Sequence, residues 1–101
     1  MTTLVLETEP LAARVEVDEA RLTVYLTDGR LVAVPLDWYP RLQHGAPAER
    51  ARWELIADGE GIHWPDLDED IEVQGLIEGR RSGESKRSFE RWLRARSEPA
   101  P

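Results

Sequence analysis

The chain has no cysteine. That excludes disulfides, thiolate zinc sites and thiol nucleophiles, and it suits a reducing cytosol. No apolar run approaches the roughly 20 residues that a membrane-spanning helix needs. The first ten residues, MTTLVLETEP, carry no base and reach an acid at Glu7, so no signal peptide is expected there. The expectation is a soluble, cytoplasmic protein with no membrane partner. Serine is missing before Ser82, so no Ser-His-Asp arrangement can be singled out. The glycines are scattered through turn-like positions and form no phosphate-cradling loop. Bases are scarce over most of the chain. Residues 1–79 hold 6 Lys+Arg against 17 Asp+Glu, a balance of −11, and residues 80–101 hold 7 against 3, a balance of +4, which together give the net −7. An acidic body repels phosphate and has no counterions to release from it, so nucleic acid is an unpromising partner except through residues 86–96. A basic protein fits better, because complementary fields speed encounter and reject wrong partners.

With 101 residues, 41% of them hydrophobic and 33% charged, the chain can build one small core and not two. Ala13, Val15 and Val17 alternate with Arg14 and Glu16, the period of a half-buried strand. Two further strands flank Asp28-Gly29, a pairing favoured in two-residue hairpin loops. That loop sets Leu26 opposite Leu31, Tyr25 opposite Val32 and Val24 opposite Ala33, with Leu22, Val24, Leu26, Leu31 and Ala33 on one face. Pro47 opens a short helix. Short apolar runs around Asp58-Gly59-Glu60 read as a second hairpin. Residues 68–77 read as a short helix with acids in its first turn. Residues 80–85 read as a flexible, polar joint. Ser85 caps a last helix over 86–96 with Phe89, Trp92 and Leu93 at helical spacing, and residues 97–101 are expected to be disordered. The fold class is therefore α+β: a small antiparallel meander with short helices and an amphipathic C-terminal helix. Residues 1–79 form the domain, and 80–101 a basic extension.

Residues 61–70, GIHWPDLDED, are the most informative stretch. A His and a Trp lead through a Pro turn into four acids within five positions. Asp66, Asp68 and Asp70 mimic the first ligands of a calcium loop. Ile71 then stands where that loop needs glycine, and Ile77 where it needs glutamate. For zinc there are only His44 and His63, far apart and without cysteines, so a site would need carboxylates to complete it and the signal is weak. No metal and no cofactor are expected. Paired carboxylates abound, but so small a core leaves little room for a substrate cleft, and enzyme is the least favoured class. A small metal-dependent hydrolase is the weakest reading. The stretch is either a structural corner, with Gly61, His63 and Pro65 as turn formers alongside Asp28 and Gly29 in the hairpin, or a recognition surface. On the second reading Trp64, Asp66, Asp68, Glu69 and Asp70 meet a partner, because an exposed indole is a frequent hot spot.

The Asp28-Gly29 hairpin, Trp38-Tyr39-Pro40-Arg41-Leu42, Trp53-Glu54 and GIHWPDLDEDI, with Val73 and Gly75-Leu76 behind it, resemble the family catalogued as domain of unknown function 2442. The resemblance covers about residues 14–79, with its signature from Trp53 through Leu76. It implies a small bacterial α+β domain with an antiparallel sheet. It also implies a frequent gene neighbour of the domain of unknown function 4160 family, the two being proposed as a toxin–antitoxin pair. Longer relatives append a helix-turn-helix, which a single terminal helix cannot make. The family has no established catalytic residues, so none carry over.

These readings converge on a non-enzymatic protein-binding module, antitoxin-like or regulatory, whose partner is a small basic protein encoded nearby. A second reading makes the chain a nucleic-acid-associated regulator using the terminal helix. Arg87, Arg91 and Arg94 form a basic strip there, and together with Trp92 of the apolar stripe they are assigned to partner binding. An isolated helix of about a dozen residues is marginal in water, so this one must dock on the acidic body, a second copy or the partner.

Overall fold

The computed structural model describes residues 9–97. Two antiparallel three-stranded sheets share one hydrophobic core. The first contains β1 (Ala12–Val17), β2 (Arg21–Leu26) and β3 (Leu31–Pro35), and the second β4 (Glu54–Ile56), β5 (Gly61–Trp64) and β6 (Glu69–Glu72). Between the sheets run two short helices, α1 (Pro40–His44) and α2 (Pro47–Arg50). After β6 come α3 (Val73–Ile77) and α4 (Lys86–Ser97). The architecture is α+β, as the patterning predicts. Among the described residues no helix is long and apolar enough to cross a membrane. The end expected to be disordered lies outside the described residues save for Ser97, which closes α4.

The first hairpin forms where it is expected, with its register displaced by one residue. Tyr25 faces Leu31, Val24 faces Val32, and Leu22 faces Val34. The loop holds three residues, because the Leu26 N–H donates to the Arg30 carbonyl at 2.8 Å and the Gly29 N–H to that of Leu26 at 3.1 Å. Only Gly29 takes positive φ, at 96°, while Asp28 accepts the Arg30 N–H through Oδ1 at 3.0 Å. This is a turn followed by a left-handed glycine bulge, the next commonest hairpin loop after the two-residue one. A slip of one residue exchanges the faces of a strand. Val32 and Val34 therefore join Leu22, Val24 and Leu26 on the core side, while Leu31 is 57% exposed and Ala33 points outward. A bulge in β1 between Ala12 and Arg14 has a similar effect, turning Ala12 and Val15 inward and leaving Ala13 exposed.

The second hairpin sits where the apolar runs place it. Its loop passes through Ala57, Asp58 and Gly59, all at positive φ. Gly59 is required twice over: its φ is 102°, and a Cβ there would lie 2.7 Å from the Ala12 carbonyl oxygen, where the loop meets β1 of the other sheet. The expected helix over 68–77 is corrected. Residues 69–72 pair with β5 from Trp64↔Glu69 to Gly61↔Glu72, and only residues 73–77 are helical. Asp68, at φ 52°, ends the turn in a left-handed conformation that a helix start cannot contain, and Asp tolerates it better than most residues. From there the period of two turns Glu69 and Ile71 toward the core side and Asp70 and Glu72 away from it.

Candidate functional site

The acidic stretch becomes a corner built on a buried tryptophan. Trp64 is fully buried, and its indole N–H donates to the Arg50 carbonyl at 3.0 Å, which ties β5 to α2. Leu67, in the turn between β5 and β6, is buried beside it in the same core. The expectation that Trp64 meets a partner is therefore corrected: a side chain with no exposed surface contacts only its own core. Pro65 is exposed in the turn, and a Cβ on buried Gly61 would crowd the Ile56 side chain at 3.0 Å. His63 Nδ1 lies 2.5 Å from Asp70 Oδ1, its cross-strand partner. The hydrogen bond to Asp70 holds the His63 imidazole above its ordinary value, burial opposes this, and the Asp70 charge reinforces it. That pairing supports the fold fully below the usual histidine range and is lost as pH rises through the raised value.

Of the acids assigned to recognition, Asp66 pairs with Arg52 at 3.2 Å, while Asp68 and Asp70 are exposed. Glu69 is different. It is half-buried, on the core side of β6, in one wall of an open cleft of about 430 Å³. Another wall is the segment 80–84, which follows α3. That segment, expected to be a polar joint, is firmly tied to the body. The Tyr39 hydroxyl donates to the Arg80 carbonyl at 2.7 Å, and the Ser82 N–H donates to the Trp38 carbonyl at 3.1 Å.

Arg41 organises this corner, and sequence reasoning gave it no role. Its guanidinium holds Glu84 at 2.5 and 2.9 Å and donates to the Asp68 carbonyl at 2.9 Å. Both side chains of the Arg41–Glu84 pair are about 15% exposed, at 15% and 14%. The only sequence signal was a base following Tyr39-Pro40 in an otherwise acidic body. Its partner lies 43 residues away, a separation that no local pattern encodes.

Burial pushes the Glu69 carboxyl up to about 7, against a partial opposing pull from Arg41 and with help from Glu84, Asp70 and Asp68. No hydrogen bond contributes to that balance among the described residues. A group whose folded-state value lies above its unfolded one binds more protons when folded, so stability falls as pH rises between about 4.5 and 7. Replacing Glu69 with Gln should remove this slope. We expect the variant to gain about 1–2 kcal/mol over wild type at pH 8, the shift being discounted for solvent screening, and nothing at pH 4. Urea melts at the two pH values check this, and equal stability at both would contradict the buried carboxyl.

The terminal helix docks by the face the spacing predicts. Phe89 stacks on Trp92 at 5.7 Å and packs against His44 at 5.2 Å. Trp92, assigned to partner binding, instead packs against the chain's own core, and the guanidinium groups of Arg41 and Arg96 lie over its ring at 5.1 and 4.7 Å. Arg96 reaches Glu49 of α2 at 2.8 Å. Arg87, Arg91 and Arg94 are exposed, and at 100° per residue they fall opposite the Phe89–Trp92 side. The predicted site residues thus divide into a buried anchor, an acidic turn with a cleft beside it, and a basic strip on the far side of α4. Among the described residues no group of three or more His, Asp or Glu side chains is placed to hold a metal ion.

Two solved structures are similar to this fold. A protein of unknown function from Rhodospirillum rubrum is 30% identical with a TM-score of 0.66, over 79% of this chain and 96% of that one. An uncharacterised protein from Chromobacterium violaceum is 22% identical with a TM-score of 0.62, over 89% of this chain and 79% of that one. No curated protein matches the chain. The family described as protein of unknown function DUF2442 matches residues 12–82, from the first strand to the segment that closes the cleft. On that match, which spans both sheets and the Trp64 corner, the chain belongs to the DUF2442 family.

Proposed function

We propose that this protein is a non-enzymatic binding module that recognises a small basic protein encoded beside it, as the antitoxin-like or regulatory member of a two-protein bacterial system. One observation carries the reading. The bases nearest the acidic turn are already committed, Arg41 to Glu84 and Arg52 to Asp66, so among the described residues the exposed carboxylates of Asp68 and Glu72 have no base of their own apart from the edge of Arg41 at 3.6 Å from Asp68, and exposed Asp70 has only the His63 ring. The surrounding body carries a balance of −11 over residues 1–79. Such a surface attracts a basic protein and repels nucleic acid. The gene neighbour implied by the family resemblance supplies a candidate of suitable size.

The test is binding of the neighbouring gene's product, measured by surface plasmon resonance at low and physiological salt. Asp68→Asn, Asp70→Asn and Glu72→Gln together should slow association about tenfold at low salt and change dissociation little. No binding by the wild-type protein would refute the reading. The second reading, a nucleic-acid contact through α4, is favoured by the outward strip of Arg87, Arg91 and Arg94. A gel shift that weakens steeply with salt and disappears in the triple Gln variant of those arginines would support it.

A further inference from the structure

The cleft over Glu69 is chemically lopsided. Its inner wall carries a half-buried carboxyl, and none of the bases around it is free to neutralise that group. Arg41 is held by Glu84 and by the Asp68 carbonyl. Arg80 pairs with Glu78, and the Arg81 guanidinium lies over the Trp38 ring at 4.8 Å. Tyr39, 5% exposed, spends its hydroxyl proton on the Arg80 carbonyl. A carboxylate left in such a place without a partner is costly, and a cation that reaches it gains an interaction much less screened than a surface pair. We propose that the cleft is the seat of one basic side chain, an arginine or lysine of the protein partner, which enters between β6 and the 80–84 segment and pairs with the Glu69 carboxylate.

This deepens the binding-module reading and rests on it. The cleft volume of about 430 Å³ admits a long side chain but no folded element, so the partner offers a protruding residue while the acidic turn meets the surface around it. The 80–84 wall is held in place by Arg41 and Tyr39, so the seat exists before the partner arrives, and little ordering cost attends its filling.

The charged and titratable groups around Glu69 are Arg41 from α1, Arg80, Arg81 and Glu84 from the 80–84 wall, Asp68, Asp70 and Glu72 from its own turn and strand, and Tyr39. Four of these are carboxylates, and each of the three arginines is engaged elsewhere, Arg41 with Glu84, Arg80 with Glu78 and Arg81 over the Trp38 ring. The carboxyl, held up to about 7, is partly protonated near neutral pH. An incoming cation favours the ionised form, so its seating releases a proton. Binding therefore strengthens as pH rises through about 7 and weakens below it.

Two measurements test the seat. The first follows the Glu69 side-chain carboxyl of the intact protein by carbon-13 NMR across a pH titration, with and without N-acetylarginine amide as probe. We expect the midpoint to fall by about one unit at saturating probe. The second measures binding of the neighbouring gene's product at pH 6.5 by calorimetry in two buffers of different protonation heat. We expect proton release with the wild-type protein, and for Glu69→Gln no release and about tenfold weaker binding. If the partner binds wild type and Glu69→Gln equally, with no proton released, the seat is overturned and the acidic-surface reading survives. If the wild-type protein binds no partner, that reading fails. The seat is then judged by the probe alone, and an unmoved Glu69 midpoint overturns it too.

Discussion

Trp64→Ala should cost about 3–5 kcal/mol, the largest loss expected from any single truncation in this fold. The indole is fully buried between the second sheet and α2, and its N–H donates to the Arg50 carbonyl. Alanine would leave a cavity in a core that is small to begin with and an unpaired acceptor at the end of α2. A domain of this size has roughly 5–15 kcal/mol in total, so the variant should sit near the edge of folding at room temperature. Trp53 provides the contrast, because it is only partly buried against the same core and should cost less. Equilibrium urea unfolding of both variants is the check. A loss under about 1 kcal/mol at Trp64 would mean that its indole is not the anchor of the corner.

Arg41→Ala should follow at about 3 kcal/mol. One side chain joins α1, the turn before β6, the 80–84 segment and α4, through Glu84, the Asp68 carbonyl and the Trp92 ring. Its removal leaves the Glu84 carboxylate, 14% exposed, without its cation, which is why breaking one partner costs more than the pair is worth. Hydrogen bonds from Arg41 are the main cause holding Glu84 below the usual carboxylate range. The pair's contribution is thus fully present above that range and is lost as pH falls through the lowered value. The double variant Arg41→Ala/Glu84→Ala should recover part of the loss, with a coupling of about 1–3 kcal/mol. Amide exchange should quicken through α4 in either single variant, since its start is anchored by this pair. Strictly additive losses in the double-mutant cycle would show that the pair does not act as a unit.

Much of the architecture was legible because local chemistry encodes it. Alternation marked β1, Asp28-Gly29 and Asp58-Gly59 marked two hairpin loops, and Phe89-Trp92-Leu93 marked the docking side of α4. The misreadings came from choices that a local pattern leaves balanced. Asp-Gly suits a two-residue loop and a three-residue bulged loop alike, and strand pairing selected the second, which moved Leu31 out and Val34 in. A run of acids ahead of Val73 suits a helix N-terminus, yet β5 offered residues 69–72 a complete hydrogen-bonding edge, and that edge prevailed.

The sequence alone carried the α+β class, the acidic body with its basic end, the lack of thiol chemistry and the importance of GIHWPDLDED, because composition and short-range spacing are properties of the chain itself. Which of those residues face water was settled only by packing. Trp64 could be hot spot or anchor until the core closed around it, and Glu69 was one acid among several until the strand turned it inward. Arg41 acquired its role only when a residue 43 positions away was folded against it. Burial and long-range pairing depend on where distant segments meet, and it is these meetings that turn an acidic turn into a cleft with a half-buried carboxyl in its wall.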